Sequence, residues 1–381
     1  MVRLNLLHLG LGWIGDRGGG LERYQHGLCE AQSKLGLAVE ALVQSRVPIA
    51  SPVAYSITAY ASPDESRRVK LEKLKRTLAP LLRRQNLIFA SHHASVSGAV
   101  CRYLSDVPHV VHFHGPWADE AAVEGAAWWK TCLQRREELK AYRSAGRIIT
   151  LSRYFAEVLI TRYRIDPQIV RIVPGGIDAV KNDPGITRRE AREALGWPQD
   201  RPIVLSIRRL VKRVGVDVLV DAAKLIVARH PELLILIGGT GPLSKELQSK
   251  IDAYGLRNQV RLLGYIPDDL LSTAYRAADL SVVPTQELEG FGLVTLESMA
   301  AGTPPIVTPV GALPEIVEPL SKELIFQGRD ASAIANGLAK VLDGTTKLPD
   351  GNAFRDYVRR VFDWQVIAPR VAAVYRELSV D

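Results

Sequence analysis

Short apolar runs alternate with amphipathic stretches along the whole chain. In the first half the runs are RLNLLHL, LAVEALV, NLIFA, PHVVHFH and GRIITL; in the second they are RPIVLSI, ELLILIG, QVRLLG, DLSVVP, TPPIVT and ELIF. Runs of this length, rich in Val, Ile and Leu, read as strands buried on both faces, and the amphipathic segments between them read as covering helices. Two such series predict an α/β protein of two doubly wound, Rossmann-like domains. The break falls in RIVPGGIDAVKNDPGITRREAREALGWPQD, where Pro174, Gly175, Gly176, Pro184, Gly185 and Pro198 interrupt the pattern. The first domain is therefore expected over residues 1–175 and the second over 176–363, with a hinge near 174–178. Beyond residue 350, GNAFRDYVRRVFDWQVIAPRVAAVYREL predicts two further helices, kinked near Trp364 or Pro369.

Composition narrows the class. With 381 residues, 47% hydrophobic and 24% charged, the chain is long enough to bury large cores, and wholesale disorder is excluded. Cys29, Cys101 and Cys132 lie far apart with no C-x-x-C, which argues against a zinc ribbon and for a reducing, cytoplasmic setting. No apolar run approaches the ~18 residues of a spanning helix. The opening MVRLNLLHLGLGWIGDRGGG lacks a basic n-region beyond Arg3 and a small-residue cleavage site, so it reads as a buried first strand rather than a signal peptide.

The net charge of +8 is unevenly placed: residues 1–175 hold 24 Lys and Arg against 15 Asp and Glu, the remainder 25 against 26. The densest stretch, SRRVKLEKLKRTLAPLLRRQN at 66–86, spaces Leu71, Leu74, Leu78, Leu81 and Leu82 as one face of a basic amphipathic helix. One reading is a surface helix docked by its leucines with its cations in water. The other is a patch for anionic lipid, in peripheral contact at the inner membrane face, or for a phosphorylated acceptor. A nucleic-acid partner is not expected, because no recognition motif accompanies the cluster.

Gly10, Gly12 and Gly15 spell G-x-G-x-x-G after a strand, the dinucleotide fingerprint, and make an NAD-dependent oxidoreductase the alternative to be weighed. That fingerprint needs a helix opening within the motif. Here Asp16, Arg17 and three glycines follow, so the helix is expected to start near Gly20. The acid that should end the second strand is also absent: Glu40 lies inside LAVEALV, and Gln44 and Ser45 stand at the end. The glycines suit a second role, since adjacent glycines before a helix let backbone N–H groups approach a phosphate.

The most informative segment is PTQELEGFGLVTLESMAAGTPPIVTPVGALPEIV, which follows a strand at the end where open α/β sheets bind ligands. Glu289 precedes Gly290-Phe291-Gly292, and Glu297 stands eight positions after it, about one turn into a helix opened by Gly292 and Leu293. Amides at such a start hold anions, and carboxylates that accept two hydroxyl hydrogen bonds are typical readers of sugars and ribose. Seven of the eight histidines lie in the first half. Strand alternation puts His112 and His114 on one side, with His114, just before Gly115, the better placed to reach a cleft between the domains.

The segment EGFGLVTLE resembles the E-x7-E signature of the family-4 retaining glycosyltransferases, of the GT-B fold. Further blocks match in order: GGGLER near residue 20, HFHG at 112–115, IVPGGID at 172–178, GGTGP at 238–242 and RLLGYIP at 261–267. The resemblance implies two Rossmann-like domains facing a cleft, with a last helix, about 364–381, returning to the first. It implies that Glu297 binds the donor's ribose and Glu289 a donor-sugar hydroxyl. The amides of Phe291, Gly292 and Leu293 would hold the sugar and diphosphate, Gly19 and Gly20 would touch the phosphate, and Gly239 and Tyr265 would line the base-side loops. His114 would be the active-site histidine. The family's arginine is matched by Arg209, but Val214 occupies the place of its lysine, in SIRRLVKRVGVD. Arg213 is the nominated replacement, with Arg208 or Lys212 as alternatives, because a departing phosphate needs positive charge.

The expectation is therefore a retaining, metal-independent hexosyltransferase that moves a sugar from a nucleotide diphosphate to the hydroxyl of a glycan, glycolipid or small molecule. It would need no cofactor beyond that donor. No Asp-x-Asp occurs that would hold a bridging metal. A GT-B sugar-nucleotide epimerase is the nearer enzymatic alternative.

Overall fold

The computed structural model describes residues 4–16, 18–49, 53–104 and 106–378. The chain divides into two compact units: one runs through Gly176 and takes in the segment from Trp364 onward, and the other is Ile177–Asp363.

The first unit is built on seven parallel strands: β1 (Asn5–Leu9), β2 (Ala38–Gln44), β3 (Ser56–Ala61), β4 (Leu87–Ser91), β5 (His109–Phe113), β6 (Arg147–Thr150) and β7 (Val170–Ile172). Their order in the sheet is β3-β2-β1-β4-β5-β6-β7, so the direction of winding reverses between β1 and β4. Loops leaving the C-terminal ends of those two strands diverge, which opens the crevice where such sheets bind ligands. Leu7, Leu9 and Phe89 pack with Leu74, Leu78 and Leu81 of the helix Arg67–Leu81. The leucine face of the basic helix is thus core.

The second unit repeats the plan with β8 (Ile203–Ile207), β9 (Leu234–Gly238), β10 (Val260–Gly264), β11 (Leu280–Val283) and β12 (Pro305–Val307), in the order β10-β9-β8-β11-β12. Its switch point lies between β8 and β11. Val204, Ile235, Ile237, Val282 and Ile306 meet Leu219, Val220 and Ala223 of the helix Val216–Ile226 in one cluster.

Two strands carry no apolar run. In SITAYA, β3 leaves Ser56, Thr58 and Ala59 exposed at the sheet edge, and β7 has only three residues. Conversely, ELIF is not a strand: Lys322–Leu324 forms a 3-10 turn, Ile325 makes a single bridge to Val307, and Phe326 turns into the core.

The C-terminal helices are Gly351–Val361 and Trp364–Arg376, broken at Phe362 and Asp363, with Pro369 accommodated inside the second. Trp364 packs on the helix Gly20–Lys34. Its indole lies where a Cβ on Gly27 would fall 2.3 Å away, and its ring meets Tyr24 edge-on at 5.4 Å. Glu377 then pairs with Arg147 and Arg171, both at 2.7 Å. No described helix is long and apolar enough to cross a membrane.

Candidate functional site

In the second unit, the loops that leave the strands at their C-terminal ends are laced together by backbone hydrogen bonds. Arg208 N–H donates to Gly238 O, Leu210 N–H to Thr240 O and Gly239 N–H to Gly264 O. Gly239 adopts φ +125°, and a Cβ there would stand 1.9 Å from Arg208 O, so only glycine lets the β8 and β9 loops approach this closely. Tyr265, in the loop after β10, is 61% exposed, with its hydroxyl 3.5 Å from Asp268.

The loop between β11 and the helix Leu293–Ala300 carries Glu289. Gln286 and Glu287 donate their N–H groups to Arg213 O, which seats this loop on the turn Lys212–Val214. Ala312 N–H donates to Glu289 O at 2.9 Å. A Cβ on Gly311, at φ +59°, would stand 2.2 Å from that same oxygen, so glycine is required on the far side as well. Leu288, immediately before, is held in the left-handed region at φ +54°. The backbone around Glu289 is therefore fixed from both sides.

Its side chain is equally constrained. Arg208 Nη2 donates to Glu289 Oε2 and also to Thr285 Oγ1 at 3.2 Å, while Thr285 Oγ1 donates to Glu289 Oε2 at 3.1 Å. Burial would push the Glu289 carboxyl up, but the charge and hydrogen bond of Arg208, the charge of Arg213 and the Thr285 hydroxyl together hold it below the ordinary carboxylate range. Glu289 is a fixed anion and a hydrogen-bond acceptor.

Gly292 caps the helix Leu293–Ala300, and Glu297, 6% exposed, lies in its second turn. The Phe291 ring is buried edge-to-face on Phe362 at 5.9 Å, so only its backbone is available to a ligand. Arg209 and Lys212 are exposed, Arg213 is half-buried, and Val214 is buried as a core residue. The lysine position of the family pattern is thus an apolar plug here. Arg208, an alternative at the sequence level, is the cation paired with Glu289. Nothing in its neighbours along the chain signals that pairing, because Glu289 is 81 residues away.

In the first unit the helix Gly20–Lys34 starts five residues beyond Gly15, with Gly19 as its N-cap. The fingerprint glycines therefore do not open a helix. Glu22 fills this loop instead: a Cβ on Gly19 would stand 2.3 Å from its carboxylate and one on Gly12 3.1 Å. His114 follows β5 directly and keeps partial exposure, whereas His112 is buried with Nδ1 3.1 Å from Tyr24 Oη and Nε2 2.7 Å from Tyr375 Oη. The two imidazoles stack at 6.3 Å, and Phe113 turns away into the cluster of Tyr142, Phe155 and Tyr163. Sequence reasoning missed His92, which follows β4 and stacks on both His112 and His114. Among the described residues, no group of His, Cys, Asp or Glu is arranged to hold a metal ion.

Residues 18–181 match the family model described as Glycosyltransferase Family 4, and residues 187–360 the one described as Glycosyl transferases group 1. A glycosyltransferase of Methanocaldococcus jannaschii is 28% identical over 73% of this chain and 72% of its own length. The D-inositol 3-phosphate glycosyltransferase of Acidothermus cellulolyticus is 31% identical over 63% of this chain, which spans 55% of that relative. Among solved structures, sucrose-phosphate synthase from Thermosynechococcus elongatus superposes with a TM-score of 0.81 at 23% identity, covering 98% of this chain and 99% of that one. Anabaena HepE, solved with UDP and glucose, superposes at 0.80 with 17% identity, covering 98% and 100%.

Proposed function

The chain belongs to the family-4 glycosyltransferases, built on the GT-B fold, and from that premise we propose that it is a retaining, metal-independent hexosyltransferase using a nucleotide-diphosphate sugar. The observation that carries this reading is the fixed Arg208–Glu289–Thr285 constellation beside the start of the helix Leu293–Ala300. Glu289 is anchored by backbone on both sides and kept ionised, so it suits the binding of a sugar hydroxyl rather than proton donation. A glycosidase-like acid would need its proton affinity raised, the opposite of what Arg208 does. Glu297 receives the ribose diol. Arg209 and Arg213, with the amides of Gly292 and Leu293, stabilise the negative charge that grows on the departing diphosphate. The acceptor hydroxyl attacks from the face the nucleotide leaves, and the departing phosphate oxygen takes its proton. In the first unit, Gly19 and Gly20 are assigned to phosphate contact and His114 is assigned as the active-site histidine.

Relatives solved with UDP and UDP-glucose make UDP-glucose the first donor to try. Turnover of UDP-glucose is expected to persist in excess EDTA and to release UDP with retained anomeric configuration. Loss of turnover on chelation, restored by magnesium or manganese, removes the metal-free mechanism, and an inverted product removes the retaining one.

The acceptor is proposed to be lipid-linked, with the first unit touching an anionic membrane surface. Arg67, Arg68, Lys73, Arg76, Arg83 and Arg84 are exposed along and just beyond the basic helix. Glu65, Glu72 and Glu40 pair with Lys73, Arg76 and Arg84 at 2.5 Å, so the patch is weaker than its cation count suggests. Apolar contact falls to the neighbouring helix Trp128–Arg143, where Trp128 is 77%, Trp129 50% and Leu133 57% exposed. Arg67 stands 3.9 Å from Glu137 of that helix, which joins the two surfaces. Exposed tryptophans beside basic residues are suited to a lipid interface.

A further inference from the structure

Four histidines from distant parts of the first unit converge where β1, β4 and β5 end. His8 lies on β1, His92 directly after β4, His112 on β5 and His114 directly after it. The parallel register sets Leu9 beside Ser91, and His92 N–H donates to Leu9 O at 3.0 Å, so the His8 and His92 rings stack at 5.2 Å. His8 Nδ1 is 2.9 Å from His92 Nε2, and His92 Nδ1 is 3.4 Å from His114 Nε2. The three rings form a chain that leads from the fully buried His8 through His92, 1% exposed, to the partly exposed His114. His112 stands beside the chain rather than in it, because the hydroxyls of Tyr24 and Tyr375 take both of its nitrogens.

Burial pulls His8 down to about 4 and His114 to about 3, and holds His92 well below the ordinary histidine range. The rings are therefore neutral, and each carries one N–H and one lone pair. His92 uses both nitrogens on its neighbours, so it must donate at one and accept at the other. Only two proton arrangements satisfy both bonds, and in each the choice at His8 dictates the choice at His114. If His8 donates, His92 donates outward and His114 carries its proton on Nδ1; if His8 accepts, His114 keeps its proton on Nε2. The Tyr24 ring, edge-on to His114 at 4.7 Å, holds the last imidazole in place.

We propose that His92 and His8 are positioning residues which fix the tautomer of His114, and thereby decide whether its outward nitrogen offers a proton or a lone pair to a hydroxyl. This rests on the reading that His114 is the active-site histidine. Neither residue would touch substrate. Coupling of this kind gives a distinct signature, because a substitution two rings away changes the proton position at His114.

The test is the imidazole 15N–1H correlation spectrum of the full chain labelled with 15N-histidine. Single substitutions assign the signals, and thermal melts confirm that each variant folds. The native chain is expected to show His114 in one tautomer. His8→Phe and His92→Phe are expected to give His114 the signals of mixed tautomers, while His92→Gln, whose amide both donates and accepts, keeps the native pattern more nearly. Where a phenylalanine variant does not fold, His8→Leu, which also removes the hydrogen-bond partner, takes its place. In UDP-glucose turnover, His8→Phe should lower kcat about tenfold with KM unchanged. An unmoved His114 signal in the His8 and His92 variants overturns the positioning role whatever the activity. Moved signals in a chain that turns over no nucleotide sugar keep the coupling and remove only the glycosyltransferase reading.

Discussion

At the scale of single residues, the proposed function gives the two glutamates of the E-x7-E segment different roles. Glu297 lies one turn inside its helix at 6% exposure, whereas Glu289 is clamped by Arg208 and Thr285. Charge-assisted hydrogen bonds lost from a buried partner cost about 1.5–3 kcal/mol, or about ten- to a hundredfold. Glu297→Ala should therefore weaken UDP binding by that factor in calorimetric titration, and Glu289→Ala should mainly lower kcat. An unchanged Kd for the Glu297 variant removes its ribose assignment. Arg213 is half-buried, its charge acts on Glu289, and its carbonyl receives the N–H groups of Gln286 and Glu287. A side-chain substitution leaves that backbone seat intact, so Arg213→Ala should reduce kcat far more than it raises donor KM. Retained turnover moves the role to Lys212. The histidine alternation around Phe113 and the glycine at the helix start were readable from spacing. The Arg208 pairing was not, because it joins residues 81 positions apart through the reversal of strand order.

Secondary elements were legible wherever an apolar run met a helical period. Strands β1, β2, β4, β5 and β6 of the first sheet and all five of the second fall on predicted runs. The edge strand β3 escaped because an edge has one unpaired side and needs no continuous apolar run. The basic helix shows the limit of periodicity. Leucine spacing located its apolar face, but only packing showed that Leu74, Leu78 and Leu81 are buried. For membrane contact the consequence is specific: Leu74, Leu78 and Leu81 cannot insert, and the exposed Trp128 and Trp129 should. Sedimentation with anionic vesicles at low salt should exceed that with neutral vesicles and fall at high salt. Trp128→Ser with Trp129→Ser should weaken it severalfold without lowering the melting temperature. Equal binding to both lipid types ends the membrane reading.

For the molecule as a whole, the buried histidines should weaken the fold in acid. Burial lowers His8, His93 and His109 from 6.5 to about 4. A base whose folded pKa lies below its unfolded one contributes stability above the unfolded value and loses it as pH falls, here between about 6.5 and 4. Each such shift is worth roughly 3 kcal/mol, a large share of a typical folding margin of about 5–15 kcal/mol. The melting temperature should fall steeply below pH 6. Glu138 works in the opposite sense. Burial raises it to about 7, against the Tyr163 hydroxyl at 2.8 Å, so it costs stability as pH rises from about 4.5 to 7. Glu138→Gln should raise the melting temperature at pH 8 and leave it unchanged at pH 4. A melting temperature that stays flat from pH 7 to 4 contradicts the histidine account. The alternation of apolar and polar positions determined by itself that two parallel α/β sheets form, where most strands lie and which loops carry acids and glycines, because burial on two faces is a local, periodic requirement. Which cation meets Glu289, which apolar face is core and which histidines touch were decided only by tertiary structure. Those contacts depend on strand order and register, and sheet neighbours such as β1 and β4 are not neighbours along the chain.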